Sequence, residues 1–163
     1  MVRFHTKSRR RSVWRRIVPF LTFVAVISVS AWVVRWSGVR TDWEPVDEQF
    51  TLCGERSSNG CVIDGDTIMI GRRKIRLTGF NAPELAGECE AETQLARRSS
   101  VALRDWLNQG SFEMSGGDEP AFDQYGRELR ELKRGDDLLA DTMIGRSLAQ
   151  GSGWGFERGG WCD

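Results

Sequence analysis

The chain has 163 residues, room for one domain plus a targeting segment, and its 23 Lys and Arg balance 23 Asp and Glu. That neutrality hides a split, because residues 1–41 hold nine basic residues and no acidic one, leaving 14 bases against 23 acids in residues 42–163, a net charge of −9. The single histidine, His5, lies in the basic tail, which excludes Ser-His-Asp, Cys-His and histidine-ligated zinc chemistry from the rest of the chain. Any reaction must use Asp, Glu, Arg, Lys, Tyr or Cys. An acidic body also lacks the field of a generic nucleic-acid binder.

Residues 1–16 form a basic tail, with Arg3, Lys7, Arg9, Arg10, Arg11, Arg15 and Arg16, and an apolar run follows over 17–34. Eighteen helical residues rise about 27 Å, close to the hydrocarbon thickness of a bilayer. The flanking cations predict a cytoplasmic tail, a single inner-membrane span over 17–36 and a periplasmic or extracellular C-terminal domain. The membrane is thereby an expected partner through this helix. Small residues at Ser28 and Ser30, just before Ala31, give the alternative of a cleaved signal and a secreted domain. The run is longer than the about 7–15 residues of a usual signal core. Both readings export the domain. All four cysteines, Cys53, Cys61, Cys89 and Cys162, follow the apolar run, and an even number suits disulfides in a small exported domain. Three connectivities are open. Cys53 and Cys61 enclose a short polar loop, and a local bridge there would leave Cys89 to tie to Cys162. Zinc is the alternative, but no C-x-x-C pair supports it.

Residues 37–49 read as a polar, acidic linker, and residues 50–163 as the folded domain. Strand-like runs are predicted at 50–52, 61–63, 67–70 and 75–78, with a turn at Gly71-Arg72-Arg73. Leu95, Ala96, Ala102, Leu103, Trp106 and Leu107 recur at three-to-four spacing and predict a helix over 90–107, ended by Asn108-Gln109-Gly110. A strand at 111–114, a loop at 116–126 and a strand at 128–133 come next. Leu138, Leu139, Met143, Ile144 and Leu148 predict a second helix ending near Gly151, before an irregular tail. This order predicts an α+β fold, a small five-stranded β-barrel with packed helices.

Three segments carry chemistry: Val62-Ile63-Asp64-Gly65-Asp66-Thr67, Arg76-Leu77-Thr78-Gly79-Phe80-Asn81-Ala82-Pro83-Glu84, and Asp123-Gln124-Tyr125-Gly126-Arg127. Asp64 and Asp66 flank a glycine that lets the chain turn, and at i and i+2 on a strand end both carboxylates can face one site. Hard cations such as Ca²⁺ take oxygen ligands, which Asp66, Asn81 and a backbone carbonyl can supply. Phosphoryl transfer needs a group that acts on the water and cations that neutralise the phosphate oxygens. Glu84 with Arg76 and Arg127 is a minimal set for that, since the guanidinium fork pairs two phosphate oxygens at once. Tyr125, the one tyrosine, stands beside Arg127, where it could contact a phosphate or stack on a base.

In this order and spacing the three segments resemble the thermonuclease (micrococcal or staphylococcal-nuclease-like) family over about residues 62–149. Cys89 and the Trp161-Cys162 ending also resemble short exported bacterial members. The resemblance implies an OB-fold barrel and Ca²⁺-dependent hydrolysis of DNA and RNA. By motif position it implies Asp66 as a metal ligand, Ala82 offering its backbone carbonyl, and Asp64 in a secondary role near the metal. Glu84 would act on the attacking water, and Arg76 and Arg127 would bind and stabilise the phosphate. Asn81 departs from an aspartate in that family, so one formal charge is lost and Ca²⁺ should bind more weakly. Ala82 departs from a threonine and Gln124 from a lysine. These departures and the acidic balance motivate the alternative, a non-catalytic OB-fold module that binds nucleic acid or an envelope partner.

Overall fold

The computed structural model describes residues 26–28, 42–55, 58–118, 120–152 and 160–162. Contacts divide the chain into two units, Met1–Arg40 and Thr41–Asp163. Of the first, Val26, Ile27 and Ser28 are described, as one helical turn. The expected basic tail and the rest of the expected membrane span lie outside the described residues. Among the described residues no helix is long and apolar enough to cross a membrane.

The second unit is α+β. Its elements are β1 (Glu44–Val46), β2 (Phe50–Leu52), β3 (Gly60–Val62), β4 (Thr67–Ile70), β5 (Arg73–Leu77), β6 (Phe80–Asn81), α1 (Glu90–Leu107), β7 (Phe112–Met114), β8 (Ala121–Phe122), β9 (Glu128–Arg130), β10 (Leu132–Arg134), β11 (Asp137–Leu138), α2 (Leu139–Gly145) and β12 (Gln150–Gly151). One sheet has the order β2-β3-β4-β5-β9-β8, a second β1-β7-β10-β11, and β12 pairs with β6. The predicted strand over 128–133 is one chain segment serving both large sheets. It changes sheet at Glu131, whose carbonyl accepts the Ser115 N–H at 2.9 Å. The segment 47–49 links the same two sheets again, between β1 and β2. The expected closed five-stranded barrel is therefore not present as continuous pairing among the described residues. The strands are short and β1 pairs with β7 rather than with β2, so the sheets stay open at that corner. The segment expected as a linker contains β1, whose Val46 packs on the core.

The predicted helix over 90–107 is α1, and its apolar stripe explains it. Leu103, Trp106 and Leu107 are buried in one cluster with Phe50, Val62, Phe112 and Met114. Burying side chains of this size stabilises by about 1.5–3 kcal/mol each. Glu90 and Glu92 sit in the first turn and Arg104 in the last, each matched to its end of the helix dipole. At the other end Asn108 uses its whole amide on β2. Its Nδ2 donates to the Phe50 carbonyl at 2.8 Å and its Oδ1 accepts the Phe50 N–H at 2.9 Å. Arg134 stacks on Trp106 at 4.1 Å and donates to the Trp106 and Gly110 carbonyls at 2.9 and 3.0 Å, satisfying the helix end.

The second predicted helix is shorter than its apolar pattern, ending at Gly145. Leu148 N–H bonds back to the Met143 carbonyl and Ser147 N–H to the Ile144 carbonyl, the paired bonds of a Schellman stop, with Ser147 at φ 55°. Glycine commonly fills that position, so the sequence does not announce the stop. Leu148 still packs on the core as the pattern required. The chain then returns as β12 and pairs Gln150 with Asn81.

Both local and long disulfides form, Cys53 with Cys61 (Cα separation 5.0 Å) and Cys89 with Cys162 (5.9 Å).

Candidate functional site

The β4–β5 hairpin brings two of the three segments together. Its register sets Thr67 opposite Arg76, so Asp66, one residue earlier, falls beside the Arg76–Leu77 end of β5, and Leu77 N–H donates to the Asp66 carbonyl at 2.7 Å. Strand β9 runs parallel to β5 with Arg76 opposite Leu129, which brings Arg127 in from the third segment.

Asp66 is buried and fully engaged. Oδ1 accepts from Thr67 Oγ1 at 3.0 Å and pairs with Arg76, while Oδ2 accepts the Ala82 N–H at 2.9 Å. Arg76 also donates to Asn81 Oδ1 at 2.9 Å. Ala82 touches the Asp66 carboxylate through its N–H, which orients it. Asp64 Oδ1 accepts the Asp66 N–H at 3.0 Å. Gly65, expected as a turn residue, has another reason to be glycine. A Cβ there would overlap Ser99 Oγ and stand 2.6 Å from Ala82 Cβ, so the aspartate loop lies directly on α1.

Charges around Arg76 act on one another. Burial, then the neighbouring Arg127 guanidinium, push the Arg76 pKa down, against the pull of Asp64, Glu84 and Asp123. Burial pushes the Asp64 carboxyl up, against Thr67, Arg76 and Arg127. Arginine stays protonated through such shifts, so two guanidinium charges face a group of carboxylates.

Arg127 is set by Asp123, which the sequence reading gave no role. Asp123 Oδ1 accepts the N–H groups of Tyr125 and Arg127, each at 2.9 Å, and Oδ2 takes Arg127 Nε at 2.6 Å. Although partial burial pushes the Asp123 carboxyl up, those bonds outweigh it and hold it below its usual range. Exposed Tyr125 has its ring 5.4 Å from the Arg127 guanidinium. Arg76, Arg127, Tyr125, Gln124, Phe80 and Leu129 line a cleft of ≈ 440 Å³. This cleft offers two cations, an aromatic face and apolar walls, which suits a phosphate attached to a planar base. In a second cleft of ≈ 470 Å³, Glu44, Arg73, Glu128 and Arg130 pair with one another.

No protein-family model matches this chain, and no curated protein does. The site has to speak through its own geometry. Glu84 is exposed and within electrostatic reach of Arg76. Its backbone N–H donates to Glu92 Oε1 at 3.3 Å, a contact the sequence reading did not foresee. The signal was there: Glu92 shares its helix face with Ala96, Ser99 and Leu103, and a carboxylate on a buried stripe needs polar partners.

For a divalent cation, the oxygens of Asp66 and Asn81 converge on the same guanidinium, so hard donors of the right kind meet at one place. They bring one formal charge, joined by Asp64 nearby. Asp64, Asp66 and Glu84 do not gather into one three-ligand group; among the described residues the one group of three potential metal-ligating side chains is Cys89, Glu92 and Cys162. The two sulfurs there are joined in a disulfide and offer no thiolate.

Proposed function

We propose that this chain is an exported, thermonuclease-like phosphodiesterase that hydrolyses DNA or RNA with Ca²⁺ as cofactor. The observation that carries the reading is the convergence of three sequence-distant segments on Arg76, with Arg127 and Tyr125 on the same cleft. The two open sheets, joined at Glu131 and again through 47–49, are read as the wall of an OB-fold barrel. Two disulfides support an oxidising compartment, and the apolar run over 17–34 a membrane anchor with the domain outside.

In this reading the scissile phosphate lies across Arg76 and Arg127, whose forks neutralise its oxygens as charge builds at phosphorus. Glu84 takes a proton from the attacking water; the water oxygen bonds to phosphorus, and the bond to the leaving sugar oxygen breaks, that oxygen keeping the bonding pair and taking a proton from solvent. Asp123 fixes Arg127 so that little ordering is left for the moment of reaction. Tyr125 holds the adjacent base. Asp66 and Asn81 would hold Ca²⁺, with Asp64 beside them, and the ion would supply Lewis-acid polarisation of the phosphate.

One observation favours a second reading, a binding module without turnover. Arg76 is engaged by Asp66 and Asn81, and must exchange them for a phosphate to act. The full chain in detergent, incubated with single-stranded DNA or RNA at millimolar Ca²⁺, decides between the two. Cleavage that stops on chelation and in Glu84→Ala supports the enzyme. A folded protein that binds the strand, cleaves nothing, and ignores both Glu84→Ala and chelation is the binding module.

A further inference from the structure

Glu92 lies in the first turn of α1 and is 6 % exposed, and among the described residues no cation pairs with it. A carboxylate in that position must take its hydrogen bonds from the backbone. A glutamate three residues into a helix ordinarily reaches back to the N–H of the capping residue, here Cys89. Glu92 reaches past it. Oε2 accepts the Glu88 N–H at 2.7 Å and Oε1 the Glu84 N–H at 3.3 Å, so one side chain spans the loop over residues 84–88. The loop has closed fully onto it: a Cβ on Gly87 would stand 2.6 Å from Glu92 Cγ and 2.7 Å from Oε2. The carboxylate is itself backed from behind. Cys89 Sγ caps α1 by accepting the Glu92 N–H at 3.4 Å, and Cys162 Sγ, bonded to Cys89, lies 3.9 Å from Glu92 Oε2.

We infer that Glu92 is a positioning residue for Glu84, splinting residues 84–88 to the disulfide-locked start of α1 so that the Glu84 carboxylate is held toward Arg76. This rests on the nuclease reading and adds to it the device that fixes its base. An exposed glutamate on an unsplinted five-residue loop would sample many orientations, and a displacement of about 1 Å can cost 10²-fold in rate.

The test uses the full oxidised chain in detergent, with Glu92→Ala, Glu92→Gln and Gly87→Ala. Two quantities are read: backbone amide hydrogen exchange, and kcat and KM on a single-stranded DNA oligonucleotide with Ca²⁺. In Glu92→Ala the amides of Glu84 and Glu88 should exchange at least about tenfold faster while those of residues 96–103 keep their protection. Its kcat should fall roughly 10- to 100-fold with KM within about twofold. Glu92→Gln, which keeps one acceptor oxygen, should fall between. Should Glu92→Ala not fold, Gly87→Ala carries the same readouts, since it keeps the carboxylate and crowds it off the loop. Unchanged exchange at Glu84 and Glu88 overturns the splint, and so does an unchanged kcat in an active protein. A wild type that protects both amides, loses that protection in Glu92→Ala and cleaves nothing supports the splint while sinking the nuclease reading.

Discussion

At the scale of single residues, the proposed Ca²⁺ site turns on Asn81. Its Oδ1 and one oxygen of Asp66 flank the Arg76 guanidinium, so a carboxylate at 81 would add a formal charge at that point. It would also tighten the hold on Arg76, which opposes cation entry, but a divalent ion gains more from the added charge than a guanidinium does. Asn81→Asp should therefore lower the half-saturating Ca²⁺ concentration by roughly tenfold, in activity and in the Ca²⁺-dependent rise of Tm. An unchanged titration removes Asn81 from the metal shell. Most of the residues around this point were legible because their chemistry is carried by type: carboxylates, an amide and arginines at fixed spacings. What was not legible is how they are held. Asp123 and Glu92 bond to backbone N–H groups across turns; the helix face shows that Glu92 needs polar partners, but which N–H groups it takes depends on loop conformation, which leaves no periodic mark in a sequence. Gly65 reads in the sequence as a turn glycine, whereas the structure needs it for the close approach to Ser99 and Ala82.

Among the elements, α1 was legible over its whole length because an eighteen-residue stripe of apolar spacing has one geometric solution. The second helix was over-read, since Leu148 continues the stripe in sequence while belonging in space to the hydrophobic contact that follows the stop. That stop matters to the site, because the strand it releases pairs Gln150 with Asn81 and braces the segment carrying Asn81 and Ala82. It is made with Ser147 at φ 55°, a conformation that costs an L residue with a Cβ about 1–2 kcal/mol. Glycine there removes the strain and gives back part of the gain through the greater freedom of the unfolded chain, about 0.5–1 kcal/mol. Ser147→Gly should accordingly stabilise the domain by about 0.5–1 kcal/mol, a rise in Tm of a few degrees by calorimetry. Loss of stability would mean that the Ser147 side chain contributes more than its backbone costs.

Over the whole domain, the two large sheets share a corner at β9–β10, and a network of charges is built into that corner. Glu128 takes Arg73 Nε and Nη2, each at 2.8 Å, and Arg130 Nε and Nη2 at 3.0 and 2.9 Å. Arg130 is 2 % exposed and also donates to the Ser115 and Gly117 carbonyls at 2.6 and 2.9 Å, so it ties β9 to the loop after β7. Glu44 of β1 completes the set, 3.5 Å from Arg73 and 3.7 Å from Arg130. The bond from Arg73, joined by that from Arg130, outweighs burial and holds the Glu128 carboxyl below its ordinary range. A carboxylate depressed in the folded state binds fewer protons there than in the unfolded chain, so folding gains stability as pH rises through this window. That contribution is complete above the ordinary glutamate value of about 4.3 and is lost as pH falls from there through the depressed one. Asp64 works in the opposite sense, because burial raises its pKa and its ionisation costs stability as pH rises. Glu128 has two guanidinium partners and bridges two elements, so its sign should dominate acid unfolding of this corner. In Glu128→Gln, buried Arg130 loses its nearer counter-charge and keeps only Glu44 at 3.7 Å, and stability at pH 7 should fall by about 3 kcal/mol in urea titrations. The same variant should lose less of what remains between about pH 5 and pH 3 than the wild type does, because one depressed carboxylate that links folding to protons is gone. A wild-type slope retained in full by Glu128→Gln would place the acid sensitivity elsewhere and reduce this network to a passive tie between the sheets.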